Sequence, residues 1–212
     1  MQSLHQRHPT SFPLAPVRDL HVSNALSYLS LVIGTLAVTA AHSARPHLAG
    51  ALLAAAAIAD TFDGKFARLF TRTRRQARAG GEIDSLVDAC VFGMAPVAVM
   101  SALAPPAGGV AALVWWLAAA CYLIAVVTRL VFFNLEDNQL VFVGVPTPAI
   151  ALIWSSLLLA GPGAGLVTIT FAACAVAMVA PIPIPRPRAA GLALFAAWAL
   201  ISVGAHAVAM AR

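Results

Sequence analysis

Charged side chains are scarce in this chain of 212 residues. There are only 13 Lys and Arg and 8 Asp and Glu, so 10% of the residues are charged, against about 25% in a typical soluble domain. Hydrophobic residues make up 61% of the chain. Because a soluble protein must cover its surface with polar groups, this composition excludes a soluble enzyme, a coiled coil and a disordered chain. An integral membrane protein remains.

Cysteine is also sparse. Cys90, Cys121 and Cys174 lie in apolar stretches without Cys-x-x-Cys spacing, which argues against a thiolate metal cluster and favours a packing role. The net charge of +5 suits an anionic lipid surface and gives no evidence for a nucleic-acid partner.

Four stretches contain no charged residue: 20–44, 89–128, 138–185 and 189–211. A helix that crosses a bilayer needs about 20 apolar residues. Because Pro105–Gly109 and Gly161–Gly165 interrupt the two longest stretches, each of these is predicted to form two helices and a turn. The alternating pattern of a membrane barrel is absent from the sequence. The segment 47–69 is also apolar up to residue 59, and acids and bases begin after it. Together with this segment, the uncharged stretches predict seven helices, at 22–42, 47–69, 82–103, 110–132, 143–160, 164–181 and 189–210.

Arginine is distributed unevenly between the two ends of these helices. Eight arginines fall on the side that holds the N-terminus and the connections 70–81, 133–142 and 182–188, whereas the other side receives only Arg45 and Arg212. The positive-inside rule therefore predicts that the N-terminus is cytoplasmic. The expected location of the protein is the inner (cytoplasmic) membrane.

Five of the eight acids lie between residues 60 and 88. Asp60 and Asp63 are three residues apart, and Asp84 and Asp88 are four apart, so each pair lies on one face of its helix. Acids at membrane depth are costly and are functional candidates by default. Two antiparallel helices joined by a short loop would direct these four carboxylates into one space.

Four adjacent carboxylates cannot all remain ionised without compensating positive charge. Oxygen ligands of this kind favour Mg²⁺ or Mn²⁺, and such an ion commonly serves a phosphate substrate. Gly64 and Gly80 would allow a nucleotide to approach the backbone, and Arg68 would face a phosphate. Two other classes remain open here: an aspartate-rich prenyl diphosphate enzyme and a membrane transporter with intramembrane acids.

The acidic residues form part of a longer pattern. It reads Asp60-x2-Asp63-Gly64-x2-Ala67-Arg68, then eleven residues, then Gly80-x3-Asp84-x3-Asp88. This pattern resembles the signature of the CDP-alcohol phosphatidyltransferase family, whose members transfer a phosphatidyl group from a CDP-linked lipid to an alcohol and release CMP. The resemblance implies an all-α polytopic membrane protein, with a six-helix core, an active site facing the cytoplasm and here one extra C-terminal transmembrane helix.

The resemblance also implies a division of the chain and a set of roles. The expected segments are an N-terminal cytoplasmic or interfacial segment (1–20), the catalytic core (21–181), a Pro/Arg linker (182–188) and the additional helix (189–212). Two divalent ions would bind Asp60, Asp63, Asp84 and Asp88, and Asp88 would also act as general base. The CDP group would contact Asp60, Asp63, Gly64, Ala67, Arg68, Gly80 and Asp84.

Sequence around the motif is similar to the phosphatidylserine synthase branch, notably at 92–96, 129–134, 144–149 and 178–183. This implies CDP-diacylglycerol as donor and favours L-serine as acceptor, with inositol phosphate, glycerol 3-phosphate or choline as alternatives, and a homodimer in the bilayer. Arg129 would bind the acceptor carboxylate or a lipid phosphate, or else extend to the membrane interface. Asn24 and Asn134 would bind substrate or cap helix ends.

Overall fold

Helices account for most of the chain that the computed structural model describes, namely residues 20–135, 141–185 and 189–212. They are α1 (Ala25–His42, after a 3-10 turn at Val22–Asn24), α2 (Pro46–Ala67), α3 (Arg74–Asp88), a π-helical turn (Ala89–Met94), α4 (Ala95–Leu103), α5 (Gly109–Leu135), α6 (Thr147–Leu159), α7 (Ala164–Val179) and α8 (Ala189–Met210). Between them lie two three-residue strands, β1 (Val141–Val143) and β2 (Pro183–Pro185). The strands pair antiparallel, with Phe142 opposite Ile184. The predicted all-α membrane fold is confirmed.

The beginnings of the helices follow from local sequence. Proline occupies the first turn of α2 and of α6, where its missing N–H costs no helical hydrogen bond. Gly144, just before α6, has φ +74°, and a Cβ at this position would overlap the backbone oxygen of Met178. The helix predicted from residue 143 therefore begins only at Thr147.

The third predicted helix begins eight residues earlier than expected, at Arg74 instead of 82. A capping box explains the difference: Gln76 N donates to Thr73 Oγ1 at 3.2 Å, and Thr73 N donates to Gln76 Oε1 at 3.0 Å. Most of the connection predicted at 70–81 is therefore helix. Within the predicted linker 182–188, Pro183–Pro185 forms β2; residues 186–188 and the segment 1–19 lie outside the described residues.

Four helical segments of the described chain are long and apolar enough to cross a membrane: Val22–His42, Arg74–Leu103, Gly109–Leu135 and Ala190–Met210. The helices α6 and α7 are apolar but have only 13 and 16 residues, which correspond to about 20 and 24 Å. Large apolar side chains such as Ile124 on α5 and Leu194 on α8 are exposed, as expected for surfaces in contact with lipid. The protein is an integral membrane protein.

An aromatic cluster holds the middle of the helix bundle together. Phe171 of α7 packs against Trp154 of α6 at 4.5 Å and against Trp115 and Tyr122 of α5, both at 5.2 Å between ring centroids. Trp154 Nε1 donates to the Tyr122 hydroxyl at 3.2 Å, and this hydroxyl donates to the backbone oxygen of Phe92. The cluster thereby supports the π-helical turn that follows Asp88, and such turns are frequent beside functional sites.

Candidate active site

Three carboxylates from two helices converge at one end of the bundle. Asp60 of α2 and Asp84 and Asp88 of α3 each place a carboxylate oxygen within 4.8 Å of the other two. Asp60 and Asp84 are partly buried, and Asp88 is 8% exposed. Negative charges this close require compensation, and the oxygen donors match those that Mg²⁺ and Mn²⁺ prefer. The donor set therefore fits the divalent ion expected from the sequence.

Asp63, the fourth acid of the pattern, lies at the edge of this cluster. Its Oδ2 accepts a 3.0 Å hydrogen bond from Ser27 Oγ of α1, and its side chain lies beside that of Asp84. The pattern of spacing alone did not distinguish Asp63 from the other three acids.

A cavity of about 270 Å³ opens beside the carboxylates, between α1, α2 and α3. Six of the seven residues predicted to contact the CDP group line it: Asp63, Gly64, Ala67, Arg68, Gly80 and Asp84. Asp60 is the seventh, and it lies instead in the carboxylate cluster. The structure thus brings the two halves of the sequence pattern to the wall of a single cavity.

The two motif glycines differ in their surroundings. A Cβ at Gly64 would meet none of the described atoms within 4 Å, so packing within the chain does not require glycine there. A Cβ at Gly80 would lie 3.0 Å from Asn24 Oδ1 and 3.4 Å from a terminal nitrogen of Arg72. Gly80 therefore permits close packing of α3 against the start of α1, in addition to lining the cavity.

Asp88 is held from a different helix. Thr147 Oγ1, in the first turn of α6, donates to Asp88 Oδ2 at 2.9 Å, and both residues are buried. Asp88 Oδ1 is also buried and has no hydrogen-bond partner among the described residues. One carboxylate oxygen is thus fixed in position, and the other is left to accept a proton or bind a cation.

Arg129 of α5 is 7% exposed, so it does not extend to the membrane interface, which was one of its two expected positions. Its positive charge is close enough to attract the carboxylate of Asp88. Its Nε is buried and has no hydrogen-bond partner within the described part of the chain. A buried cation beside a cluster of acids can pair with an anionic group of a bound substrate.

The two asparagines predicted as binding or capping residues are placed differently. Asn24 lines the cavity and is 3% exposed; its Oδ1 accepts from Ser23 Oγ at 3.2 Å, whereas its Nδ2 has no partner among the described atoms. Its side chain makes no capping hydrogen bond. Asn134 is exposed, and its Nδ2 donates to Ser85 Oγ at 2.8 Å. Asn24 is therefore positioned to meet a ligand, whereas Asn134 joins α5 to α3.

Three polar residues at this site were not singled out from the sequence. Ser27 donates a hydrogen bond to Asp63, Thr147 donates one to Asp88, and Arg72 lines the cavity although the sequence placed it on the connection 70–81. Thr147 lies within the stretch 144–149, whose similarity to the synthase branch was the available signal. Ser27 follows Asn24 by three residues at the start of α1. Arg72 carried no such signal.

The sequence model of the CDP-alcohol phosphatidyltransferase family matches residues 20–201, most of the chain. The chain belongs to the CDP-alcohol phosphatidyltransferase family. The predicted family is confirmed, and it accounts for the convergence of the motif residues on one cavity.

Individual family members are similar over about two thirds of this chain. The CDP-diacylglycerol–serine O-phosphatidyltransferase of Mycobacterium tuberculosis (strain H37Rv) is 38% identical over 146 residues, which is 64% of this chain and 48% of that protein. The enzyme of the same name from Mycobacterium leprae is also 38% identical, over 64% of this chain and 45% of its own length. The enzyme of the same name from Helicobacter pylori (strain 26695) is 30% identical, over 65% of this chain and 57% of its own length. The chain thus spans about half the length of the curated relatives it matches.

Proposed function

We propose that this protein transfers the phosphatidyl group of CDP-diacylglycerol to the hydroxyl of L-serine, giving phosphatidylserine and CMP, with Mg²⁺ or Mn²⁺ as cofactor. The convergence of three motif carboxylates beside a cavity that other motif residues line, in a chain of this family, carries the proposal. The names of the similar mycobacterial and Helicobacter proteins support serine as the acceptor.

The donor's cytidine diphosphate group occupies the cavity. Gly64 and Ala67 present small surfaces of α2 to it, Arg68 faces a phosphate, and Gly80 admits the nucleotide close to α3. Asp60, Asp63, Asp84 and Asp88 would hold two divalent ions. When bound, such ions neutralise the diphosphate and stabilise the charge that develops on the phosphorus under attack.

Asp88 is the general base. The serine hydroxyl attacks the lipid-side phosphorus, the bond from that phosphorus to the CMP oxygen breaks, and the hydroxyl proton passes to Asp88. The free Oδ1 is the oxygen that takes the proton, because Oδ2 already accepts from Thr147.

Arg129 recognises the acceptor. A guanidinium beside the base pairs with the carboxylate of serine and directs its hydroxyl toward Asp88. Choline has no carboxylate and would leave this buried cation unpaired, whereas inositol phosphate and glycerol 3-phosphate would place a phosphate on it. Asn24 offers its unpartnered Nδ2 to the substrate from α1, and Asn134 contributes indirectly through Ser85.

The carboxylate end of the bundle faces the cytoplasm, and the N-terminus lies on the same side. The arginines near this end support the orientation, since Arg68, Arg72, Arg74 and Arg78 surround the cavity or the start of α3. The catalytic core is 21–181, flanked by the segment 1–20, the linker 182–188 and the additional helix 189–212. The protein works as a homodimer in the bilayer.

Release of CMP by the purified protein in lipid nanodiscs tests the reaction. CDP-diacylglycerol and Mn²⁺ are supplied with L-serine as the sole acceptor, and Asp88→Asn serves as the matched control. We expect release that requires serine and metal and is lost in the variant. Turnover only with another alcohol would overturn the choice of serine, and near-normal turnover by well-folded Asp88→Asn would overturn the assignment of the base.

A further inference from the structure

A second polar cluster lies where α8 packs against α2 and α6. It consists of His47, Ser155, Ser202 and His206, linked by side-chain contacts of 2.7–3.4 Å. His47 stands in the first turn of α2, whereas Asp60 is 13 residues further along the same helix. The two positions are therefore about 20 Å apart along the helix axis. The cluster belongs to the opposite end of the bundle and takes no part in the proposed transfer.

The hydrogen bonds of His206 determine which ring nitrogen carries the proton. His206 is fully buried, so the neutral imidazole is favoured. Its Nε2 lies 3.0 Å from the backbone oxygen of Ser155, which can only accept, and Nε2 is therefore the N–H donor. This leaves a lone pair on Nδ1, and Nδ1 faces Nδ1 of His47 at 3.4 Å.

Three helices fix the orientation of this imidazole. Gly50 of α2 makes room for it, because a Cβ there would overlap the ring of His206. Ser155 Oγ of α6 donates to Gly50 O at 2.8 Å and contacts Ser202 Oγ of α8 at 2.7 Å. The lone pair on Nδ1 is thus directed toward His47 by packing as well as by hydrogen bonding.

We propose that His47 and His206 bind a divalent transition-metal ion such as Zn²⁺, which joins α8 to α2. Two imidazole nitrogens at about 2.0–2.1 Å from a tetrahedral zinc ion are about 3.4 Å apart, and the two Nδ1 atoms are separated by that distance. A metal-bound imidazole commonly donates its other N–H to a backbone carbonyl, as His206 does to Ser155. His47 is partly exposed, so water completes the coordination.

The chemistry of this pair differs from that of the carboxylate cluster. Imidazole nitrogen suits Zn²⁺, Ni²⁺ and Cu²⁺, whereas carboxylate oxygen suits Mg²⁺ and Mn²⁺. Because Zn²⁺ also binds carboxylates, Mg²⁺ is kept saturating while Zn²⁺ is titrated, and loss of the response in a His47 variant assigns it to the histidine pair.

Thermal unfolding of the full chain in detergent with saturating Mg²⁺ tests the site. At a hundredfold excess of Zn²⁺ over its Kd, the unfolding midpoint of the unchanged protein should rise by about 5–10 °C. His47→Gln should lose this rise. His42→Gln is the matched control, since His42 is an exposed histidine at the end of α1 whose Nδ1 contacts its own helix at Val38 O, and it should keep the rise.

The shift compares zinc-loaded and zinc-free samples of one variant, so a lower baseline for His47→Gln does not affect the conclusion. X-ray absorption of the zinc-loaded protein should show two nitrogen ligands at about 2.0 Å, one of which is lost in His47→Gln. An unchanged midpoint in the original protein, or an equal rise in His47→Gln, would overturn the proposal.

Discussion

The hydroxyl of Thr147 donates a 2.9 Å hydrogen bond to Oδ2 of Asp88, across 59 residues of sequence and between α6 and α3. Both side chains are buried, and the other oxygen of Asp88 has no partner among the described residues. The contact therefore orients the proposed base, and it makes the first turn of α6 part of the site.

Thr147→Val keeps the shape of this side chain and removes its donor. The loss leaves a buried carboxylate oxygen unsatisfied, which costs about 1–3 kcal/mol, and we expect kcat to fall by about tenfold or more. The KM for CDP-diacylglycerol should change little, because Thr147 does not line the cavity. Thr147→Ser should recover most of the lost rate. A rise in this KM together with the fall in kcat, and no recovery of the rate in Thr147→Ser, would indicate a general packing defect instead.

Gly64→Ala separates a binding role from a structural one. No described atom lies within 4 Å of the added methyl group, and alanine in a helix interior is favoured over glycine by up to about 1 kcal/mol. We therefore expect an equal or higher unfolding midpoint together with a clear rise in the KM for CDP-diacylglycerol.

Gly204→Ala provides the matched control for this change. Gly204 lies inside α8 and also has open space around its Cβ position among the described residues. It should raise stability by a similar amount and leave turnover unchanged. Normal nucleotide affinity in Gly64→Ala would contradict close approach of the donor to α2.

Arg129→Lys tests the proposed acceptor site. Lysine keeps the positive charge but loses the paired donors that bind a carboxylate at two points, so the KM for serine should rise by about tenfold or more. The KM for CDP-diacylglycerol should stay within about twofold, since Arg129 does not line the nucleotide cavity. Initial rates with each substrate varied in turn measure both constants. Arg68→Lys should show the opposite pattern, and an unchanged serine KM in Arg129→Lys would place the acceptor elsewhere.

The sequence was most informative where function depends on local spacing. The acids at three- and four-residue intervals placed Asp60, Asp84 and Asp88 on matching helix faces, and the structure confirms their convergence. The early start of α3 was also readable, because Thr73 and Gln76 have the spacing of a capping box. The contact of Thr147 with Asp88 could not be predicted from the sequence, because it depends on how α6 and α3 pack. Burial of Arg129 was likewise undecided, since a single arginine in an apolar run suits an interface equally well.

Titration of Mn²⁺ against CMP release should distinguish a motif acid inside the carboxylate cluster, Asp84, from one at its edge, Asp63. Asp84 shares its cluster with Asp60 and Asp88, so Asp84→Asn removes a charge from the centre of the proposed metal site. The Mn²⁺ concentration for half-maximal activity should rise by tenfold or more, about 1.4 kcal/mol, and a chelator should abolish activity of the unchanged protein. Asp63 lies at the edge and already accepts from Ser27, so Asp63→Asn should shift this concentration less. Equal shifts in the two variants would show that Asp63 binds the metal as directly as Asp84 does, and the larger shift for Asp63 would move the centre of the site toward α1.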